Sequence, residues 1–398
     1  MITTKDWRLV AATALVAAAV ASAACGDVTS ASFAGESGPT GRGQVDAGSA
    51  TGDGADPSAV PAPQQPSNGV MLVHAADFPA LRVCFEGRPG ARPIPDSTTM
   101  PDANIVGLDV GAGIRLSPIR NDKPLGKVYV IEVDPSRIRN GFDENATCGQ
   151  LICAPGSGPQ CLTAGRDYAE AAAPIGDTSL GADALTILAI KGCGNAFQID
   201  AIGVNASDCG VGWDNLKGNV KAESITNLAL GQRPAGKLPV QLVNLSKYLD
   251  PKTLGALTVQ YGDVLAEAGA PTLSNVANDP PVDQPAPSKD LDLPTDDESV
   301  YGTRGFVIER KTGSGPAFSV RTSLADVQED SSPLSLPADY YQGSSKYALL
   351  LLGDPRAQAS DPRRVHLIAV PMTDPADAVD TDAGGGSTGA DAGADGSL

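Results

Sequence analysis

Seven cysteines and two histidines are the residues whose chemistry this chain could use most directly. Six of the cysteines, Cys84, Cys148, Cys153, Cys161, Cys193 and Cys209, fall between residues 84 and 209, in the first of the two domains read below, and Cys25 stands apart from them. A structural zinc site needs paired Cys-x-x-Cys or Cys/His knuckles, and the six cysteines do not have that spacing. Disulfides in an oxidising compartment are therefore the expected use. Six cysteines admit several pairings; Cys193–Cys209 and Cys148–Cys161 suit local bridges, which leaves Cys84–Cys153.

The other polar candidates point away from catalysis. His74 and His366 each sit in a strand-like run directly after a valine, where a satisfied or half-exposed strand histidine is expected rather than a base. No His-Glu-x-x-His zinc signature occurs. Gly231–Lys237 has the spacing of a phosphate-binding loop, but Leu238 stands where a hydroxyl must hold magnesium, and a strand pattern follows instead of a helix. Glu132 with Asp134, and Asp143 with Glu144, are the carboxylates a glycosidase could employ, yet nothing in the sequence sets their separation across a cleft. Asp290, Asp292, Asp296, Asp297 and Glu298 could gather oxygens around calcium; the spacing of a calcium loop is missing, so a solvated charge run is expected. The residues thus predict no catalytic group, no cofactor and no metal ligand.

Composition narrows the partners. Across 398 residues, 47 acidic side chains against 29 basic ones give a net charge of −18, which repels phosphate backbones and argues against nucleic acid. Aromatics are 4% of the chain, and Trp213 is the one tryptophan beyond the leader, so stacking surfaces for sugars or bases are scarce. Residues 1–24 have the form of an export signal: Lys5 and Arg8, an apolar core over Leu9–Ala21, then small residues. Ser22-Ala23-Ala24-Cys25 resembles the bacterial lipobox, with Ser22 where an aliphatic residue is usual, and Ala21-Ser22-Ala23 would also suit an ordinary signal peptidase. Acylating Cys25 leaves an even six cysteines for disulfides, which favours the lipid anchor.

The elements that must position these residues read as strands. Residues 25–68 are mostly Gly, Ser, Ala, Asp, Pro and Gln and are expected to be a flexible linker; residues 375–398 repeat that composition as a disordered tail. Val70–His74 and Leu81–Phe85 flank a short turn around Asp77 and Pro79, a strand, a reversal and a second strand. Ile105–Val110, Lys127–Val133, Leu185–Ile190 and Phe197–Val204 follow as strand-like runs, with a helix expected over Asn215–Leu230. The pattern then begins again: Leu238–Leu245 matches the first run and Ala256–Tyr261 the second, followed by Gly305–Glu309, Ala317–Thr322, Lys346–Leu352 and Val365–Val370. Asp183–Lys191 parallels Lys346–Leu352, each followed by a glycine, so the chain reads as two diverged copies of one β domain at about 69–232 and 238–374. The acidic, proline-rich stretch 278–299 is expected to be a mobile loop of the second copy.

The stretch Val73-His74-Ala75-Ala76-Asp77-Phe78-Pro79-Ala80-Leu81 resembles the opening of repeats in the exported bacterial family called domain of unknown function 4397. His74, Asp77, Pro79 and Ala80 fall on matching places, while Ala76–Pro79 departs from the family's usual spelling and Asn244 replaces the histidine in the second copy. Tyr347–Asp354 resembles the family's closing strand. The resemblance implies an all-β chain of two tandem immunoglobulin-like sandwiches, with no established catalytic residues. The expectation is a lipid-anchored cell-envelope protein, held to a membrane through the lipid on Cys25, that binds or displays an envelope protein or polysaccharide. The rival readings are an envelope-polymer hydrolase and a calcium-stabilised adhesin.

Overall fold

The computed structural model describes residues 69–95, 107–116, 125–133, 145–154, 157–158, 161–171, 185–226, 228, 236–265, 272–293, 298–311, 317–331, 341 and 346–372. The expected leader, lipid-bearing Cys25, linker 25–68 and tail 375–398 lie outside them, as do Asp134, Asp143, Glu144, Asp296 and Asp297. The chain is all-β. In the first repeat the elements are β1 (Gly69–His74), β2 (Leu81–Phe85), β3 (Gly113–Leu116), β4 (Val128–Glu132), α1 (Cys148–Leu151), β5 (Tyr168–Glu170), β6 (Leu185–Lys191), α2 (Ala196–Ala201) and β7 (Lys221–Ile225). The second contains β8 (Lys237–Asn244), α3 (Pro251–Leu254), β9 (Thr258–Asp263), β10 (Ser274–Asn278), β11 (Lys289–Asp292), β12 (Arg304–Arg310), β13 (Phe318–Ser323), α4 (Leu324–Asp330), β14 (Lys346–Leu352) and β15 (His366–Met372).

Each repeat is a sandwich of two sheets, and the sheets correspond. The first repeat has orders β3-β1-β6-β7 and β2-β4-β5; the second has β11-β8-β14-β15 and β10-β9-β12-β13. In both four-stranded inner sheets the central pair is parallel, β1 with β6 and β8 with β14, and both flanking pairs are antiparallel. The turn at Asp77 and Pro79 therefore does not close a hairpin, because β1 and β2 belong to different sheets.

The inner sheets pack on each other as well as on their own outer sheets, so the repeats form four layers. Side chains alternate across a strand, and both faces of the inner strands are apolar. Val70 and Leu72 of β1 and Leu188 and Ile190 of β6 enter the first core, while Met71, Val73, Ile187 and Ala189 enter the seam. On β14, Tyr347, Leu349 and Leu351 enter the second core and Ala348, Leu350 and Leu352 the seam. Each large aliphatic side chain removed from water in this way contributes about 1.5–3 kcal/mol.

Several expectations change. Phe197–Val204 is not a strand: α2 starts there because the Asn195 side chain accepts the Gln198 N–H at 3.0 Å and the Gln198 side chain closes a capping box. The described part of Asn215–Leu230 is not a helix: Asp214 Oδ1 turns the chain by accepting from the Leu216 and Lys217 amides, and β7 then pairs with the open edge of β6. In Ile105–Val110 the described residues contain no strand; Leu108 makes an isolated bridge to Leu81, and β3 follows. The stretch 278–299 is not one mobile loop, since it carries the end of β10 and all of β11, and Val282 and Pro285 bridge to β8.

The disulfides are Cys84–Cys148, Cys153–Cys161 and Cys193–Cys209. Cys193–Cys209 agrees with the sequence expectation. Cys148–Cys161 and Cys84–Cys153 do not form. Cys84 lies on the outer face of β2, where Cys148 at the start of α1 covers it with the Cα atoms 5.6 Å apart, and the eight-residue step between Cys153 and Cys161 closes on itself. Three disulfides mark a protein of an oxidising, non-cytoplasmic compartment. No helix among the described residues is long and apolar enough to cross a membrane.

Candidate functional site at the seam between the repeats

The internal duplication places one polar side chain at the same point of both repeats. At the end of β1, His74 Nε2 lies 3.0 Å from the Pro79 carbonyl and 3.1 Å from that of Phe78, while Nδ1 accepts the Ala76 N–H at 3.4 Å. At the end of β8, Asn244 Nδ2 donates to the Leu249 carbonyl at 3.0 Å and its Oδ1 accepts the Ser246 N–H at 3.1 Å. Each side chain ties down the turn that carries the chain from inner to outer sheet. These partners satisfy a neutral His74 with its proton on Nε2. Burial, weakly opposed by the two carbonyls and Asp77, lowers its pKa to about 4.

Asp77 is the polar centre of this end of the seam. Its backbone N–H donates to the Gly192 carbonyl at 2.8 Å, and its side chain is 6% exposed. From the second repeat, Lys247 Nζ and the Tyr248 hydroxyl both reach Asp77 Oδ2 at 2.6 Å. Burial, then the Asp77 charge and hydrogen bond, push the Tyr248 hydroxyl far above its ordinary pKa, so it stays a donor. The Tyr248 ring takes Lys247 Nζ at 4.9 Å and the Arg356 guanidinium at 5.0 Å. Arg356 also bonds Asp354 and, across the seam, Asp208 at 2.9 Å. A cavity of about 30 Å³ lies among these groups, room for water and no more.

A second cross-seam cluster joins Lys191, Glu223 and Asp283. Lys191 ends β6 with its side chain 5% exposed; its Nζ contacts Asp283 Oδ1 and stands 3.8 Å from Glu223 Oε2. Burial lowers the Lys191 pKa and raises that of Asp283. Glu223 feels the same burial, but hydrogen bonds from Asp283 and Lys221 and the two lysine charges bring it below its ordinary value. Further along the seam each ring nitrogen of His366 faces a carbonyl, Nδ1 that of Arg364 at 2.7 Å and Nε2 that of Gly111 in the first repeat at 2.9 Å.

The larger concavity is a groove of about 420 Å³ on the second repeat, between β13, α4 and the turn before β15. Arg321, Asp326, Glu329, Asp330, Arg364 and His366 line it, and Arg364 is bonded to Asp330 at 2.6 Å. Charges of both signs line the groove beside apolar residues such as Val320, Pro355 and Val365, and its size is in the range that small ligands occupy.

The sequence candidates are dispersed. His74 and His366 lie in strands as expected, and both are the satisfied form of that expectation, buried and hydrogen-bonded to backbone. Glu132, at the end of β4, is 1% exposed. Asp290 and Asp292 project from one exposed face of β11, with Asp292 paired to Lys237. Among the described residues no three His, Cys, Asp or Glu side chains converge as a metal site. Lys191, Asp283, Lys247 and Tyr248 carried no sequence signal, because each gains its meaning from a partner in the other repeat. Neither a scan of protein-family models nor a search of curated proteins finds a match to this chain.

Proposed function

We propose that this chain is a non-enzymatic binding or display module of the cell envelope, lipid-anchored through Cys25 and related to the repeats of domain of unknown function 4397. The observation that carries the reading is how the buried polar groups are spent. His74, Asp77, Tyr248 and Asn244 hold turns and join repeats, and the cavity of about 30 Å³ that His74, Asp77 and Tyr248 line has room for water and not for a substrate. Three disulfides agree with life outside the cytoplasm. The mixed-charge groove around Arg321 and Glu329 is the favoured place for a polar partner, a protein segment or a glycan.

The test is a panel of glycan and ester substrates run beside affinity capture on envelope extracts. Capture of one partner that is lost on Glu329→Lys, with no turnover, is the expected result. Turnover abolished by Glu132→Ala or Asp143→Ala overturns it in favour of a hydrolase. A calcium-induced rise in melting temperature would favour the adhesin instead. Radiolabelled palmitate that fails to enter the protein in a lipoprotein-processing host removes the anchor.

A further inference from the structure

Lys191, Asp283 and Glu223 place an amine, a carboxyl group and a second carboxyl group in mutual contact across the seam, and the functional reading above uses none of them. We propose that Lys191 and Asp283 condense into an intramolecular amide that joins the two repeats covalently, with Glu223 as the proton carrier. The Lys191 Nζ lone pair attacks Cγ of protonated Asp283. Glu223 takes the proton that the nitrogen sheds and returns it to the departing hydroxyl. One amide forms and one water leaves, so no oxidant or activating group is required.

Positioning favours the reaction. Lys191 is the last residue of β6, fixed by pairing with Lys221 of β7. Asp283 is pinned to β8: its amide donates to the Asn244 carbonyl at 2.8 Å, and Val282 and Pro285 on either side bridge to the same strand. Holding two reacting groups at contact on rigid elements replaces a bimolecular encounter by a unimolecular step. The charges suit the roles as well. Burial favours an uncharged amine at Lys191 and an uncharged acid at Asp283, the reactive forms of both. Lys221, bonded to Glu223, helps keep that carboxylate ionised as the acceptor.

The consequence is mechanical. All six cysteines after Cys25 lie in the first repeat, so the three disulfides add no covalent link between the repeats beyond the backbone. An amide from Lys191 to Asp283 would close a loop containing that connection and keep the repeats together after a cut within it.

The experiment is peptide mapping of the full-length exported protein, reduced, denatured and digested with trypsin. The expected product is a branched peptide, uncut at Lys191, in which the segment carrying Lys191 is joined to Thr253–Lys289 and weighs one water less than its parts. Lys191→Arg and Glu223→Gln should each abolish the branch while leaving the three disulfides and the β-type circular dichroism intact, which separates lost chemistry from lost folding. Folded wild-type protein cut completely at Lys191, with Thr253–Lys289 at its encoded mass, overturns the proposal. A Glu223→Gln variant that still forms the branch in full yield overturns the role given to Glu223.

Discussion

The two repeats share one skeleton and are secured in different ways. The first has three disulfides and its described core contains Phe78 and Phe85 but no tyrosine. The second has no cysteine and instead packs Tyr261 on Phe306 and Tyr341 between Tyr301 and Tyr347, with ring centroids 5.2–5.4 Å apart. Two of these tyrosines spend their hydroxyls on backbone, Tyr341 on the Leu324 carbonyl at 2.9 Å and Tyr261 on that of Asp292 at 3.0 Å. The two reinforcements sit on different faces. In the first repeat the disulfide-bearing 145–171 excursion covers the outer face of β2 and β4, where Tyr168 stacks edge-on against Tyr129; in the second, α4 and the tyrosines pack inside the sandwich, between its two sheets.

Breaking the longest staple should have the largest effect. Replacing Cys84 and Cys148 together by alanine opens a link of 64 residues and is expected to cost about 4 kcal/mol by urea unfolding, against about 2.5 kcal/mol for Cys153 and Cys161. Equal losses for the two pairs would show that loop length does not govern the first repeat.

The matched pair His74 and Asn244 offers a sharper test. The folded pKa of His74 is about 4, below the unfolded value, so the folded state binds fewer protons between the two. Its contribution is complete above about pH 6.5 and falls away as pH drops towards 4, by about 3 kcal/mol in all. His74→Asn copies the second repeat and should flatten this part of the stability–pH curve. A curve of unchanged slope between pH 7 and 4 would contradict the role given to the ring.

Smaller effects come from the seam and the sheet edge. Tyr248→Phe leaves Asp77 with Lys247 alone and should cost about 2 kcal/mol in thermal or urea unfolding. At the outer edge of β15, Ser331 Oγ accepts the Ala369 N–H at 2.7 Å, and Pro371 has no N–H to offer. Ser331→Ala should cost about 1 kcal/mol and speed hydrogen exchange at the Ala369 amide; unchanged exchange would show that the edge is protected by other means.

Much of the strand plan was legible because period-two patterning and turn residues are local. Leu81–Phe85 and Lys346–Leu352 match their strands residue for residue, and the second copy announced itself by the same order of runs. Two of the misread segments, α2 and β7, have a state decided by a partner: a capping side chain and a disulfide for one, the free edge of β6 for the other. The candidate site was less legible. Asp77 stood out within its turn, but Lys247 and Tyr248 lie 170 and 171 residues further along, and Lys191 and Asp283 are 92 apart.

Strand period, turn chemistry, the acidic balance and the cysteine count are properties of neighbouring or summed residues, so the sequence alone determined an all-β, duplicated, disulfide-bearing chain. The stacking of the inner sheets, the partner of each cysteine and the ion clusters across the seam depend on which distant surfaces meet. Alternation buries both faces of β1, β6, β8 and β14 without saying what covers them, and only the tertiary structure shows that each repeat covers the other.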